Sequence, residues 1–167
     1  LFGPDPHSYT LRENDKDFNY ITDFITETCS VLDGVTYHCY VDMNTTQLLT
    51  PYGLDEQYRE SSRVSSIWDN EVIKNQTEHC KGLVNNIWAG EIAEHNNGGI
   101  DGVTNTYYDG FWYLDALGTI SNLGHAVFAR QSLAAVGTYS LLNSDFTPNC
   151  DYFTAYLFNK LMSNKVI

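Results

Sequence analysis

The sequence is poor in basic residues and has no long apolar run. Only 9 Lys and Arg residues stand against 21 Asp and Glu residues, which gives the 167-residue chain a formal net charge of −12. Such a surface repels phosphate backbones and anionic lipid head groups at long range, so no nucleic-acid partner is expected. The chain contains no run of about 18 apolar residues, and we therefore predict no transmembrane segment.

Cysteine is also scarce, and its spacing is wide. The four cysteines are Cys29, Cys39, Cys80 and Cys150. They lack the short paired spacings of a structural zinc site, so no metal is predicted. Glycosylation sequons begin at Asn44 and Asn75 and favour a secreted or luminal glycoprotein, extracellular or lysosomal, in which cysteines can form disulfides. Such triplets also arise by chance, and unglycosylated loops are the alternative.

Apolar periodicity predicts alternating helices and strands. Helices are predicted over 15–29, 55–73, 107–117 and 151–162, and strands over 31–40, 83–90 and 126–130. Gly118 is predicted to cap the third helix. The aromatic residues of that helix could form a sugar-stacking platform, but their helical spacing favours core packing.

This order of elements, without internal repeats or linkers, is typical of an α/β protein with a parallel sheet. Polar groups follow each predicted strand, as in the (β/α)8 TIM barrel, which presents its catalytic groups at the carboxyl ends of its strands. We expect residues 1–167 to form about the last three to four β/α units of such a barrel. Because a complete barrel takes about 250 residues, the missing units are expected before Leu1.

Short motifs along nearly the whole chain resemble one family of sugar-cleaving enzymes. Trp88-Ala89-Gly90-Glu91 followed by Asn97-Gly98-Gly99 is similar to the nucleophile segment of heparanases and related retaining endo-β-glucuronidases, including leech-type hyaluronidases. The segment 1–5 resembles the family's strand-end Gly-Pro-Asp, and 35–40 resembles its aromatic-histidine-tyrosine strand. Further motifs follow in the expected order, namely Arg130-Gln131, Gly137-Thr138-Tyr139, Asp145-Phe146 and Asp151-Tyr152-Phe153.

The resemblance implies that Glu91 is the nucleophile of a retaining glycoside hydrolase that uses no cofactor. Such enzymes need two carboxyl groups about 5 to 5.5 Å apart, one as nucleophile and one as acid/base. The family carries its acid/base in an Asn-Glu-Pro motif on an earlier strand, and this chain has no such motif. We therefore expect the fragment alone to be inactive. The N-terminal half of the barrel, in the same or a processed chain, and a following β-sandwich are expected outside these residues.

The same comparison implies a set of supporting and substrate-binding residues, which are His38, Tyr40, Asn97, Gly98, Gln131 and Tyr139. His38 and Tyr40 are expected to orient Glu91 from the neighbouring strand, and Gln131 and Tyr139 to line the sugar site. Backbone amides near Asn97 and Gly98 are expected to receive a substrate carboxylate. The alternatives are a core histidine for His38, an ordinary turn for the glycines, and a solvated strand-end carboxylate for Glu91.

The implied substrate is a glycosaminoglycan of the extracellular matrix, of heparan sulfate or hyaluronan type. The negative net charge fits an anionic polysaccharide poorly unless the cleft is locally basic. Residues 92–97 also depart from the family pattern, since Glu94 adds a negative charge after the nucleophile and Cys39 stands where a second histidine is common. The alternative is a catalytically inactive, heparanase-like extracellular protein with a carbohydrate-binding or structural role.

Overall fold

Strands and helices alternate along the chain, as the apolar pattern predicts. The computed structural model describes residues 1–6, 16–41, 78–134 and 136–162. The strands are β1 (Phe2–Pro4), β2 (Gly34–Tyr40), β3 (Ile87–Ala93) and β4 (Val127–Arg130). The α-helices are α1 (Lys16–Thr28), α2 (Glu78–Gly82), α3 (Tyr107–Asn122) and α4 (Cys150–Leu161), and Cys29–Val31 and Leu83–Asn85 form single 3₁₀ turns.

The four strands form one parallel sheet in the order β1-β2-β3-β4. The main core lies where helices pack on one face of this sheet. Ile21 and Ile25 from α1, Trp112 from α3, and Tyr37 and Ile92 from the sheet are all fully buried there. The predicted α/β class with a parallel sheet is therefore confirmed.

A bulge in β3 decides which way the candidate nucleophile faces. Tyr37 pairs with Ala89 but His38 pairs with Glu91, so Gly90 is an extra residue relative to β2. The register against β4 shifts in the same stretch. Ala89 and Ile92 consequently both pack in the helix-covered core, although three positions separate them. Glu91 is turned to the opposite face, which shows how a bulge redirects one side chain.

The helix predictions have mixed outcomes. Helices α1, α3 and α4 are confirmed, but α3 continues through Gly118 to Asn122, so the predicted glycine cap is wrong. The prediction of core packing in α3 holds for Trp112 and Tyr113, whereas Tyr107 and Phe111 are exposed. The predicted helix over 55–73 and the sequons at Asn44 and Asn75 lie outside the described residues.

Two strand boundaries differ from the prediction. Residues 83–85 form a 3₁₀ turn rather than the start of a strand, and β3 continues past Glu91 to Ala93. Strand β1 was not predicted from periodicity, since its three residues are too few to show an alternation. Among the described helices, none is both long and apolar enough to cross a membrane.

One disulfide joins elements on the helix side of the sheet. Cys29, directly after α1, is bonded to Cys80 in α2, across 51 positions of sequence. Both residues are buried in the main core. Cys39 is buried in the same core, and Cys150 is partly exposed. The sequence left the pairing open, and the structure settles it as Cys29–Cys80.

Candidate active site

Glu91 lies on the sheet face opposite the helix-packed core, with its side chain 33% exposed. The Tyr40 hydroxyl donates a hydrogen bond to Glu91 Oε1. Nδ1 of His38 lies 3.5 Å from Glu91 Oε2. The two carboxylate oxygens thus have separate neighbours on β2, and the predicted proximity of His38 and Tyr40 to Glu91 is confirmed.

Tyr40 is suited to remain a hydrogen-bond donor. Burial and the adjacent Glu91 carboxylate both raise the pKa of the Tyr40 phenol well above its ordinary value. A phenol that keeps its proton at neutral pH can donate continuously to a carboxylate. Tyr40 therefore fixes one oxygen of Glu91 and leaves the other oxygen for a different role.

Asp5 extends this arrangement to a third strand. Its Oδ2 lies 2.8 Å from Nε2 of His38, on the other side of the imidazole from Glu91. Asp5 directly follows β1, and its backbone N–H bonds to the carbonyl of Thr36 at 3.0 Å. Sequence reasoning assigned no role to Asp5, and the only available signal was the Gly-Pro-Asp motif that ends β1.

Tyr139 is brought to the same place by the loop after β4. It is 5% exposed and packs with Tyr40 and Ala93 in a small cluster separate from the main core. Gln131 follows β4, where its backbone N–H bonds to the Ile92 carbonyl at 2.9 Å. The predicted site residues therefore gather at the carboxyl ends of β2, β3 and β4.

The loop at Asn97 and Gly98 is hydrogen-bonded to the loop that carries Tyr139. Asn97 and Gly98 have positive φ angles of 52° and 93°. The Gly98 carbonyl accepts hydrogen bonds from Thr138, at 2.7 Å from its backbone nitrogen and 3.0 Å from its hydroxyl. A Cβ on Gly137 would stand 2.3 Å from the Gly98 oxygen, so this close approach requires glycine. The loop at Asn97 and Gly98 and the loop from Gly137 to Tyr139 thus form one continuous surface, which we call the rim.

A buried charge cluster lies on the other, helix-covered side of the sheet. The Arg130 guanidinium bonds to Glu94 at 2.6 Å, to Asp109 at 3.0 Å and to Asp151 at 2.6 Å. All four side chains are at most 3% exposed. The expectation that Glu94 adds negative charge to the sugar site is wrong, because its carboxylate is turned into this cluster.

The cluster also resembles a cation site, since carboxylate oxygens of Glu94, Asp109 and Asp151 lie within 4.8 Å of one another. The Arg130 guanidinium bonds to each of these carboxylates and already supplies a positive charge at their centre. Burial raises the pKa of both Glu94 and Asp109, which favours their neutral forms and further weakens metal binding. The arrangement is therefore that of a buried ion-pair network.

The fold and site together define a parallel β/α protein with a carboxylate held at adjacent strand ends, the arrangement on which β/α enzymes build active sites. The chain belongs to glycosyl hydrolase family 79, because the family model "Glycosyl hydrolase family 79, N-terminal domain" matches residues 15–118. The matched model describes the N-terminal domain of the family. The expectation that the chain is the C-terminal half of a catalytic barrel therefore rests on the short motifs and not on this match.

Full-length relatives agree with the assignment. The chain is 34% identical to baicalin-beta-D-glucuronidase of Scutellaria baicalensis over 158 residues, which cover 90% of the chain and 28% of that protein. It is 30% identical to heparanase of Bos taurus over 174 residues, covering 100% and 29%. It is 36% identical to heparanase-like protein 1 of Arabidopsis thaliana over 140 residues, covering 83% and 25%. The chain thus spans less than a third of the length of these curated relatives.

Proposed function

We propose that the protein carrying this chain is a retaining, endo-acting hydrolase of a uronic-acid-containing polysaccharide, with Glu91 as its nucleophile. One observation carries the proposal. Glu91 is a partly exposed carboxylate at the ends of parallel strands, and its two oxygens have different neighbours, Tyr40 at one and His38 at the other. A solvated carboxylate without a function needs no such fixation, whereas a nucleophile must be held in line with its target.

The proposed reaction follows the double-displacement route. The carboxylate of Glu91 attacks the anomeric carbon while a second carboxylic acid protonates the departing glycosidic oxygen, which gives a glycosyl-enzyme ester. The second group then deprotonates a water that attacks the same carbon and releases Glu91. The second carboxyl group is proposed to come from residues outside this chain, as the missing Asn-Glu-Pro motif suggests.

The substrate class is proposed to be a β-linked glucuronide within heparan sulfate or hyaluronan. The names of two relatives, a β-D-glucuronidase and a heparanase, support this choice. Arg130 is not a candidate for binding the substrate carboxylate, because it is buried and already bonded to three carboxylates. We assign that contact to backbone amides of the rim near Asn97 and Gly98, where positive φ angles let N–H groups converge on an anion.

The chain is proposed to be the last three to four units of a (β/α)8 barrel whose other units lie elsewhere in the protein. Within the described residues, the four parallel strands leave β1 and β4 as open sheet edges. Several large apolar side chains of the described elements are exposed, including Phe2 in β1 at 41% and Leu161 at the end of α4 at 76%. Open edges and exposed apolar side chains are normally covered in a native protein, and closure of the barrel would cover both.

A secreted or luminal location, extracellular or lysosomal, is part of the proposal. The Cys29–Cys80 disulfide supports it, because structural disulfides persist mainly in oxidising compartments. The sequons at Asn44 and Asn75 are proposed glycosylation sites for the same reason. Mass spectrometry of the native protein before and after removal of N-linked glycans tests this part directly.

The central test is Glu91→Gln in the whole protein. The amide keeps the shape of the side chain but cannot act as nucleophile, so we expect turnover of a β-glucuronide to fall by roughly a thousandfold or more. Glu27→Gln on the exposed face of α1 is the matched control and should keep wild-type turnover. Unchanged turnover in Glu91→Gln would remove Glu91 from the mechanism. A wild-type protein that binds the polysaccharide but cleaves no β-glucuronide would favour the inactive, carbohydrate-binding alternative.

A further inference from the structure

We infer that Asp5 is a positioning residue that holds His38 in the orientation it needs beside Glu91. This inference rests on the proposed function, since it concerns how the proposed nucleophile is set in place. The observation behind it is a continuous line of contacts across three strands. Asp5 after β1 contacts His38 on β2 at 2.8 Å, and His38 approaches Glu91 on β3 at 3.5 Å.

The chemistry of the two contacts fixes the imidazole. An ionised carboxylate can only accept hydrogen bonds, so Nε2 of His38 must carry the proton in its contact with Asp5. This contact settles the plane of the ring and turns Nδ1 toward Glu91 Oε2. When the imidazole is doubly protonated, Nδ1 also carries a hydrogen and the ring joins the two carboxylates.

The backbone holds Asp5 in place independently of its side chain. Its φ angle of 62° lies in the left-handed region, which aspartate tolerates better than most residues. The backbone N–H of Asp5 bonds to the Thr36 carbonyl at 3.0 Å, and the N–H of His38 bonds to the Pro6 carbonyl at 2.8 Å. The segment after β1 is therefore tied to β2 on both sides of the carboxylate.

Gly90 provides a second, separate observation. A Cβ built on Gly90 would lie 2.8 Å from Oδ1 of Asp5, while its next contacts, with Thr36 and Tyr37, are ordinary at 3.6 Å. The bulge residue before Glu91 is thus the place where the carboxylate of Asp5 fits. A methyl group there displaces the end of one side chain and spares the backbone, so Gly90→Ala should fold and shift Asp5 selectively.

The expected consequence falls on the chemical step. Without Asp5, the imidazole of His38 can rotate. Glu91 then loses one of the two side chains that contact its carboxylate oxygens. Misplacement of a nucleophile lowers the rate of bond formation but removes no contact with the bound sugar. We therefore expect kcat to fall while KM changes little, which is the pattern of an interaction made only in the transition state.

The experiment compares Asp5→Ala, Gly90→Ala and the double variant in the whole protein. We expect each single variant to lower kcat about tenfold or more, the usual scale for carboxylates that orient a functional histidine. The double variant should be no slower than Asp5→Ala, because both changes act through the same carboxylate. Asp23→Ala on the exposed face of α1 and Gly118→Ala, where a Cβ meets nothing within 4 Å, are the controls.

A spectroscopic readout separates this inference from the proposed function. In both the wild type and Glu91→Gln, Asp5→Ala should shift the ring ¹⁵N resonances of His38, which report the tautomer and the hydrogen bond at Nε2. An unchanged His38 spectrum, an unchanged kcat in Asp5→Ala, or an equal further loss from Gly90→Ala without Asp5 would overturn the inference. Wild-type inactivity combined with the expected spectral shift would instead reject the proposed reaction and keep the contact.

Discussion

At the scale of single residues, Tyr40 illustrates how the environment gives an ordinary side chain a fixed role. Its ring is buried beside Tyr139, while its hydroxyl reaches Glu91. Burial and the negative charge of Glu91 both disfavour a phenolate, which is why its pKa is raised. The sign of this shift means that Tyr40 stays protonated across the neutral and mildly alkaline range. Its hydrogen bond to Glu91 should therefore not be lost through titration of the phenol.

Removing that hydroxyl is expected to slow catalysis without unfolding the protein. Tyr40→Phe keeps the buried ring and deletes one donor to Glu91. We expect kcat to fall by about 100-fold, the lower end of the scale known for a single hydrogen-bond donor in an active site. Steady-state kinetics measure this loss, and circular dichroism verifies the fold. Tyr20→Phe on the exposed side of α1 is the matched control. A Tyr40→Phe variant with wild-type kcat would contradict the role given to the hydroxyl.

Residue patterns predicted part of this site and missed part of it. The resemblance to the family implied that His38 and Tyr40 lie near Glu91, and this agrees with the rule that neighbouring parallel strands end at one edge of the sheet. Asp5 was missed because its partner His38 lies 33 positions away and no local pattern links them. Glu94 was misplaced because the strand was expected to stop before Glu91. Since β3 continues to Ala93, the alternation carries Glu94 to the helix side.

At the scale of secondary-structure elements, the Arg130 cluster joins four of them. Arg130 ends β4, Glu94 follows β3, and Asp109 and Asp151 lie in the first turns of α3 and α4. Carboxylates are favoured at helix N-termini, where backbone N–H groups are exposed. One guanidinium facing three buried carboxylates leaves an excess of negative charge when all are ionised. Burial accordingly raises the pKa of Glu94 and Asp109.

These raised pKa values predict that part of the stability of the protein depends on pH. A carboxyl group that binds its proton more tightly when folded stabilises the fold fully below its unfolded pKa, which is about 3.9 for Asp and 4.3 for Glu. That contribution is lost as pH rises through the higher folded value. Asp109→Asn cannot ionise, so we expect it to gain thermal stability relative to wild type as the pH is raised from about 4 to 8.

Differential scanning calorimetry across that pH range measures the difference in Tm between Asp109→Asn and wild type. Asp23→Asn on the exposed face of α1 is the control, and its difference from wild type should stay nearly constant. A Tm difference for Asp109→Asn that does not change with pH would contradict this account of the cluster. So would a Tm of the variant that falls relative to wild type as pH rises.

Long elements could be predicted from the sequence, whereas short elements and element ends depend on contacts between residues that are distant in sequence. The three helices α1, α3 and α4 have 12 to 16 residues and carry enough apolar positions to be recognised. The three-residue β1 exists because β2 pairs with it, and such pairing leaves no local periodicity. Gly118 was expected to end α3 because glycine is common at helix ends. The helix continues through it because the apolar pattern, with Ile120 buried, continues as well.

At the scale of the whole molecule, we propose that the chain supplies one side of a larger active site. In the part of the chain that the structure describes, the sheet has two open edges, and Glu91 is one member of the proposed carboxylate pair. The alternation of helices and strands was enough to predict the parallel sheet, because each unit of that kind is locally encoded. We expect catalysis only in the protein that carries the remaining units.

The most direct test of the central claim is to trap the covalent intermediate in the whole protein. A 2-deoxy-2-fluoro-β-glucuronide with a good leaving group should accumulate as a glycosyl-enzyme ester. The fluorine slows hydrolysis of this ester, while the good leaving group keeps its formation fast enough for the ester to be detected. Peptide mass spectrometry then locates the label. We expect one added glycosyl unit on Glu91 and none in Glu91→Gln. A label on another carboxylate, while Glu91 remains unmodified in an active enzyme, would contradict the account.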